Sequence, residues 1–231
     1  MNAPAFLGRL LPGEHVRFDQ TTARPWPWKG VGGEIYRWIG TAYLKLFRWK
    51  MAGDWPAYRK AVAIGAPHTT NLDGPLLIAA LGYYRIDMRW MGKASLTKGP
   101  LGWFVKWLGC IPIDRSRSND MVAQMVERFE EAETLIVGVP PEGTRTPGVK
   151  WKSGFYHIAM AAKVPIICCV LDWGERTIRI AGAIMPSGDF EADMAKIRVH
   201  YDGVYGKHTP RDVPPVAAIL SDMRTEARQA A

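Results

Sequence analysis

Residues 61–84 read AVAIGAPHTTNLDGPLLIAALGYY, and the succession of patterns in that stretch decides the fold. Val62 to Gly65 is a short apolar run of the kind that forms a buried strand. Pro67 interrupts it, because proline lacks a backbone donor and fixes φ. Gly74 to Tyr84 then carries Leu76, Leu77, Ala80 and Tyr84 at helical spacing, which predicts a helix with those residues on one side. A strand, a polar loop and a helix make the repeating unit of a layered α/β sheet.

The unit recurs downstream. Met88–Met91, Ile111–Ile113, Thr134–Val139 and Val164–Leu171 read as strands, and Arg176–Ile180 alternates like a half-exposed one. Between them, Pro100–Leu108 predicts a helix with Leu101, Phe104 and Leu108 aligned. Asn119–Glu133 predicts an amphipathic helix with Met121, Met125 and Phe129 opposite Glu127, Arg128 and Glu131, capped by Ser118 or Asn119. Ser153–Lys163 is a further helix. Phe190, Met194, Ile197 and Tyr201 mark a late one, and Val216–Ala227 a last. The expectation is an α/β fold with a central, mostly parallel sheet flanked by helices.

Upstream, residues 1–29 show no clear periodicity. In Val31–Met51, Ile35, Ile39, Tyr43, Leu46 and Phe47 recur at helical spacing among Arg37, Lys45, Arg48 and Lys50. This N-terminal amphipathic helix has two readings: packing on the domain that follows, or lying on a membrane surface. The division expected is a basic, Trp-rich membrane-surface segment at 1–58 and a second domain at 59–231.

The chain has 231 residues, 48% of them apolar, and a net charge of +8 from 30 Lys and Arg against 22 Asp and Glu. That size suits one α/β domain, and the positive balance favours polyanionic partners. Trp26, Trp28, Trp38, Trp49 and Trp55 crowd the first quarter among Arg24, Lys29, Arg37, Lys45, Arg48 and Lys50. Tryptophan beside lysine and arginine suits a lipid headgroup interface; stacking on single-stranded nucleic acid and ordinary packing are the alternatives, and the partner expected is an anionic membrane surface and not nucleic acid. No secretory signal is evident at Met1–Pro12, and no window reaches the roughly 18 apolar residues a spanning helix needs. If the chain meets a membrane, it is expected to lie on the cytoplasmic face as a peripheral protein. Cys110, Cys168 and Cys169 sit in apolar runs and read as reduced core residues.

The polar residues follow the strands. His68 comes after Gly65, Lys93 after Met91, Arg115 after Ile113, and Glu142 and Arg145 after Val139. Open α/β sheets bind ligands beyond the carboxyl ends of their strands, so these side chains are expected at one edge. His68 and Asp73 are five apart, about 140° on an ideal helix. They can pair only if His68 lies in the loop and Asp73 opens the next helix. Asp73 would then hold one ring nitrogen as N–H and leave the other free to take a proton. In Glu142-Gly143-Thr144-Arg145, Gly143 permits close backbone approach, Thr144 offers a hydroxyl, and Arg145 can grip a phosphate bidentately. Glu142 can brace an arginine or bond a substrate hydroxyl; a plain surface turn with a salt bridge is the alternative. His157, mid-helix among apolar neighbours, reads as a core histidine or one that supports a site residue. No nucleophile turn, Walker loop or zinc spacing is present, so no metal is expected.

Four ordered blocks together resemble the lysophosphatidate and glycerol-phosphate acyltransferase family. They are His68-x4-Asp73 with Thr70, Gly109-Cys110-Ile111-Pro112-Ile113-Asp114-Arg115, Pro141-Glu142-Gly143-Thr144-Arg145, and the run Val164 to Val170. The resemblance covers about residues 60 to 172. It implies that His68, oriented by Asp73, deprotonates an acceptor hydroxyl that attacks an acyl thioester. It also implies that Arg115, Glu142, Gly143, Thr144 and Arg145 hold the acceptor headgroup, with Lys93 where the family often has a basic residue. The implied co-substrate is acyl-CoA or an acyl carrier protein thioester, the acceptor a lysophospholipid, and no cofactor is called for. Pro67, Pro140 and Cys168 depart from the family pattern beside the acceptor pocket. Acylation of a non-phosphate amphiphile, or a non-catalytic lipid-binding module, therefore stays open as an alternative.

Overall fold

Runs of Val, Ile and small residues need both faces covered, and they become the middle of a parallel sheet. The computed structural model describes residues 30–107, 109–113 and 120–208. Expectations for Trp26 and Trp28, Arg115, the Ser118 or Asn119 cap and the helix at 216–227 lie outside the described residues. In chain order the elements are α1 (Gly30–Leu46), β1 (Lys50–Ala52), β2 (Lys60–Ala66), α2 (Asp73–Tyr84), β3 (Met88–Lys93) and α3 (Gly102–Trp107). They continue with β4 (Cys110–Ile113), α4 (Asp120–Glu131), β5 (Leu135–Val139), α5 (Gly154–Ala162), β6 (Ile166–Asp172), β7 (Thr177–Ile184) and α6 (Phe190–Arg198).

One seven-stranded sheet runs β1-β7-β6-β2-β5-β3-β4. From β6 to β4 every pairing is parallel; β7 runs antiparallel to β6, and β1 is parallel to β7. The expected α/β fold with a mostly parallel sheet is what forms. Side chains alternate across β2. Val62, Ile64 and Ala66 face a core with Met125, Phe129, Phe155, Ile158 and Ile197. The smaller Ala61 and Ala63 face the opposite layer with Ile86, Met88 and Ile167.

Several boundaries differ from expectation. The helix predicted to reach Met51 stops at Leu46, because Arg48 turns left-handed at φ 57° and Trp49 N–H closes onto Leu44 O at 2.8 Å. The next residues, Lys50–Ala52, join the sheet as β1, a strand too short to show a period of two. Residues of the 1–58 segment are thus tied into the sheet of the domain that follows. Lys93 is the last residue of β3 rather than the first beyond it. Leu77 is exposed, not aligned with buried Leu76 and Ala80, and Leu101 and Phe104 of the α3 region are also exposed. His157 is exposed as well, not a core residue, because α5 buries Phe155, Tyr156, Ile158 and Ala159 instead.

The first helix packs directly on the second through its smallest residues. A Cβ on Gly40 would lie 2.7 Å from Ala79 O, and one on Gly82 would lie 2.6 Å from the Tyr36 ring. The Tyr36 hydroxyl donates to the Ile78 carbonyl across the same contact. No side chain fits at Gly40 without separating the helices. Gly40→Val is therefore expected to lower stability by about 1–3 kcal/mol, read as a shift in the denaturant midpoint.

Candidate active site

β2 lies between β5 and β6, with Ile64 opposite Val139 on one side and Cys168 on the other. Three neighbouring parallel strands therefore end together, and the residues just beyond them meet. His68 follows β2, Glu142 follows β5, and Trp173 follows β6. Lys93 ends β3, the strand beside β5 on the far side from β2.

The loop from Pro67 to Leu72 wraps the Asp73 carboxylate at the start of α2. Asp73 Oδ2 accepts from Thr69 N–H at 2.9 Å and Thr70 N–H at 3.0 Å, and pairs with His68 Nδ1 at 3.0 Å. Asp73 Oδ1 accepts from Trp173 Nε1–H at 2.8 Å. Surrounded by donors, the carboxylate is an acceptor only, so Nδ1 carries the proton of the neutral imidazole and Nε2 keeps its lone pair. Asp73 is 4% exposed and the His68 side chain 24%, so the orienting group is hidden while the ring reaches solvent. The pairing that an unbroken helix forbids is made by the break at Pro67 and the helix start at Asp73.

Glu142 is buried, and its Oε1 accepts from the His68 main-chain N–H at 3.2 Å. Its partner is thus the backbone of the histidine rather than an arginine. Its Oε2 is buried without a hydrogen-bond partner among the described residues. Burial outweighs the main-chain N–H bonds to this carboxyl, from Glu142 itself and from His68, and pushes it up to about 7. Gly143 adopts φ 64°, a left-handed turn where a side chain would be strained, and its N–H closes on Pro140 O at 3.1 Å. Thr144 Oγ1 accepts from Thr146 N–H at 3.3 Å, and Thr144 and Arg145 are exposed. Lys152 leans over this turn, its side chain within 3.3 to 3.4 Å of where a Gly143 Cβ would sit.

His68, Asp73 and Glu142 are therefore joined by hydrogen bonds, and Gly143, Thr144 and Arg145 continue from Glu142 at the rim. Trp173 was missed by reading charged residues alone. The signal was available: it stands immediately after a strand that runs parallel to β2. Among the described residues, no group of His, Cys, Asp and Glu is arranged to hold a metal ion. What remains is a neutral imidazole with a free nitrogen, beside an exposed turn carrying a hydroxyl and a guanidinium. Such a set can take a proton from a hydroxyl and hold an anion nearby.

Comparison with known proteins identifies a family. Residues 51–172 match the model of the acyltransferase family. The 1-acyl-sn-glycerol-3-phosphate acyltransferase of Haemophilus influenzae is 32% identical over 148 residues, 58% of each chain. The Escherichia coli enzyme of that name is 32% identical over 121 residues, 49% of this chain and 47% of the other. The matched region spans about half the length of these relatives. The crystal structure of the 1-acyl-sn-glycerophosphate acyltransferase PlsC from Thermotoga maritima superposes with a TM-score of 0.50 at 16% identity. It covers 87% of this chain and 80% of that one, which shows a shared fold.

The raised Glu142 carboxyl has a consequence for stability. The folded state holds this proton more tightly than the unfolded chain, so it binds more protons between about pH 4.5 and pH 7 and loses stability as pH rises through that window. Glu142→Gln keeps the shape and has no proton to lose. The expected result is a flatter pH dependence of unfolding free energy, by up to about 3 kcal/mol between pH 5 and 7.5. Denaturant titrations of both proteins at the two pH values measure it.

Proposed function

The chain belongs to the acyltransferase family, and from that premise we propose that it transfers a fatty acyl group from a thioester to a lysophospholipid hydroxyl. The thioester is acyl-CoA or acyl carrier protein, the favoured acceptor is 1-acylglycerol-3-phosphate, and the role is phospholipid biosynthesis. The observation that carries the reading is the His68–Asp73 pair at 3.0 Å with the Glu142–Arg145 turn beside it. Relatives bearing the name 1-acyl-sn-glycerol-3-phosphate acyltransferase support the acceptor.

In this mechanism His68 Nε2 takes the proton as the acceptor oxygen attacks the thioester carbonyl carbon. Asp73, bonded to Nδ1–H, stabilises the imidazolium that forms. The tetrahedral intermediate collapses, the C–S bond breaks, and the leaving thiolate takes the proton from His68. The products are an ester and a free thiol, with no acyl-enzyme. Arg145, with Thr144 and the Gly143 turn, binds the acceptor phosphate, and Lys93 and Arg115 are proposed to assist.

The proposed location is a membrane surface on the cytoplasmic side. Val31, Ile35, Trp38 and Ile39 of α1 are exposed, an apolar surface on a basic chain. That combination favours an anionic lipid interface. Among the described residues no helix is long and apolar enough to cross a membrane.

Thiol release from long-chain acyl-CoA and acyl carrier protein thioesters, with and without 1-acylglycerol-3-phosphate, tests the reaction. Acceptor-dependent release is expected, and His68→Ala is expected to lower it by roughly 10³-fold. Near-normal turnover in His68→Ala would rule the mechanism out. Arg145→Ala is expected to raise the acceptor KM about tenfold while changing kcat little, the mark of lost headgroup binding.

A further inference from the structure

We propose that Trp173 is a positioning residue of the catalytic pair, holding the Asp73 carboxylate in the plane that presents Oδ2 to His68. The inference rests on the acyl-transfer reading for its kinetic consequence, but its geometry stands apart from that reading.

A carboxylate on a short side chain can rotate about its Cβ–Cγ bond, and the rotation carries both oxygens out of register with their partners. Three donors gather on Oδ2: His68 Nδ1–H, Thr69 N–H and Thr70 N–H. All three come from the same short loop and move with it. The Oδ1 atom is bonded by Trp173 Nε1–H at 2.8 Å, a donor 100 residues away on the end of β6. It is thus the long-range anchor that fixes the carboxylate relative to the sheet.

Trp173 is itself held on several sides. Its main-chain N–H donates to Tyr205 O at 3.2 Å, and the Trp49 ring meets it edge-on with centroids 5.0 Å apart. Lys207 Nζ lies 5.1 Å from the indole centroid. A cation over an indole face withdraws electron density and makes the ring N–H a better donor. Trp49 stands between α1 and β1, and Tyr205 and Lys207 follow α6, so segments from both ends of the described chain converge on one indole. A half-buried tryptophan held only for packing does not need its N–H directed at a buried carboxylate.

Two substitutions separate the hydrogen bond from the packing. Trp173→Phe keeps an aromatic ring and removes the donor. Trp173→His loses the benzo ring, yet its Nε2 occupies the same place relative to Cβ as the indole nitrogen and can carry a proton. The expected result is that Trp173→Phe lowers kcat about tenfold with both KM values unchanged, while Trp173→His stays within about threefold of wild type. Equal activity of wild type and Trp173→Phe overturns the proposal. So does a loss in both variants accompanied by raised KM or a lowered unfolding midpoint, which is the signature of packing alone.

A second readout needs no turnover. In the full chain labelled with 15N at indole nitrogens, the Trp173 N–H resonance is expected to exchange slowly with solvent and to shift in Asp73→Asn. A fast-exchanging resonance that ignores Asp73→Asn overturns the contact itself. Wild-type protein that releases no thiol from any thioester sinks the acyl-transfer reading instead, and the indole resonance still decides the contact.

Discussion

The carboxylate of Asp73 is the point on which this structure turns. It is almost entirely removed from solvent, and an ion there is tolerable only if hydrogen bonds meet its charge. Four groups do so, and they belong to the loop after β2, to the histidine within that loop, and to the residue after β6. Satisfying one buried charge therefore fixes the conformation of residues 68–73, the start of α2 and the side chain at the end of β6. The tautomer of His68 follows from the same bonds, since Nδ1 must give a proton to a group that can only accept. Removing the carboxylate would leave buried donors unpaired, so the loop as well as the chemistry depends on it.

The sheet makes that arrangement possible. Strands in a parallel sheet lie about 4.8 Å apart, so the residues following adjacent strands are within hydrogen-bond reach of one another. β5, β2 and β6 are adjacent and in register, and they deliver Glu142, His68 and Trp173 to one edge. A second tie runs beneath them. The fully buried Tyr201 hydroxyl donates to Ile64 O at 3.2 Å and Cys169 O at 3.3 Å, holding the ends of β2 and β6 together below the histidine.

Much of this was legible in the residues themselves. The alternation of apolar runs with helical patterns announced the parallel sheet, and Pro67 announced the break that lets His68 meet Asp73. Other features were hidden for physical reasons. Three residues at Lys50–Ala52 carry no period, so β1 looked like the tail of a helix. Leu77 and Phe104 fit a helical stripe as well as their neighbours do, and only the packing partner decides which side is covered. Trp173 carries no charge, and a search for titratable groups passes over an indole N–H. Glu142 stood in a motif that suggests ligand contact, while its bond to the His68 main chain depends on β5 lying beside β2, which local spacing cannot reveal.

Glu142 and Asp73 show how one edge of a sheet holds two buried carboxyls in different surroundings. Asp73 is met by four donors on its two oxygens and orients an imidazole. Glu142 accepts the His68 main-chain N–H on Oε1, while its buried Oε2 has no hydrogen-bond partner among the described residues, and burial pushes the carboxyl up to about 7. The difference in donors thus separates the carboxyl that orients the His68 ring from the one that braces its main chain.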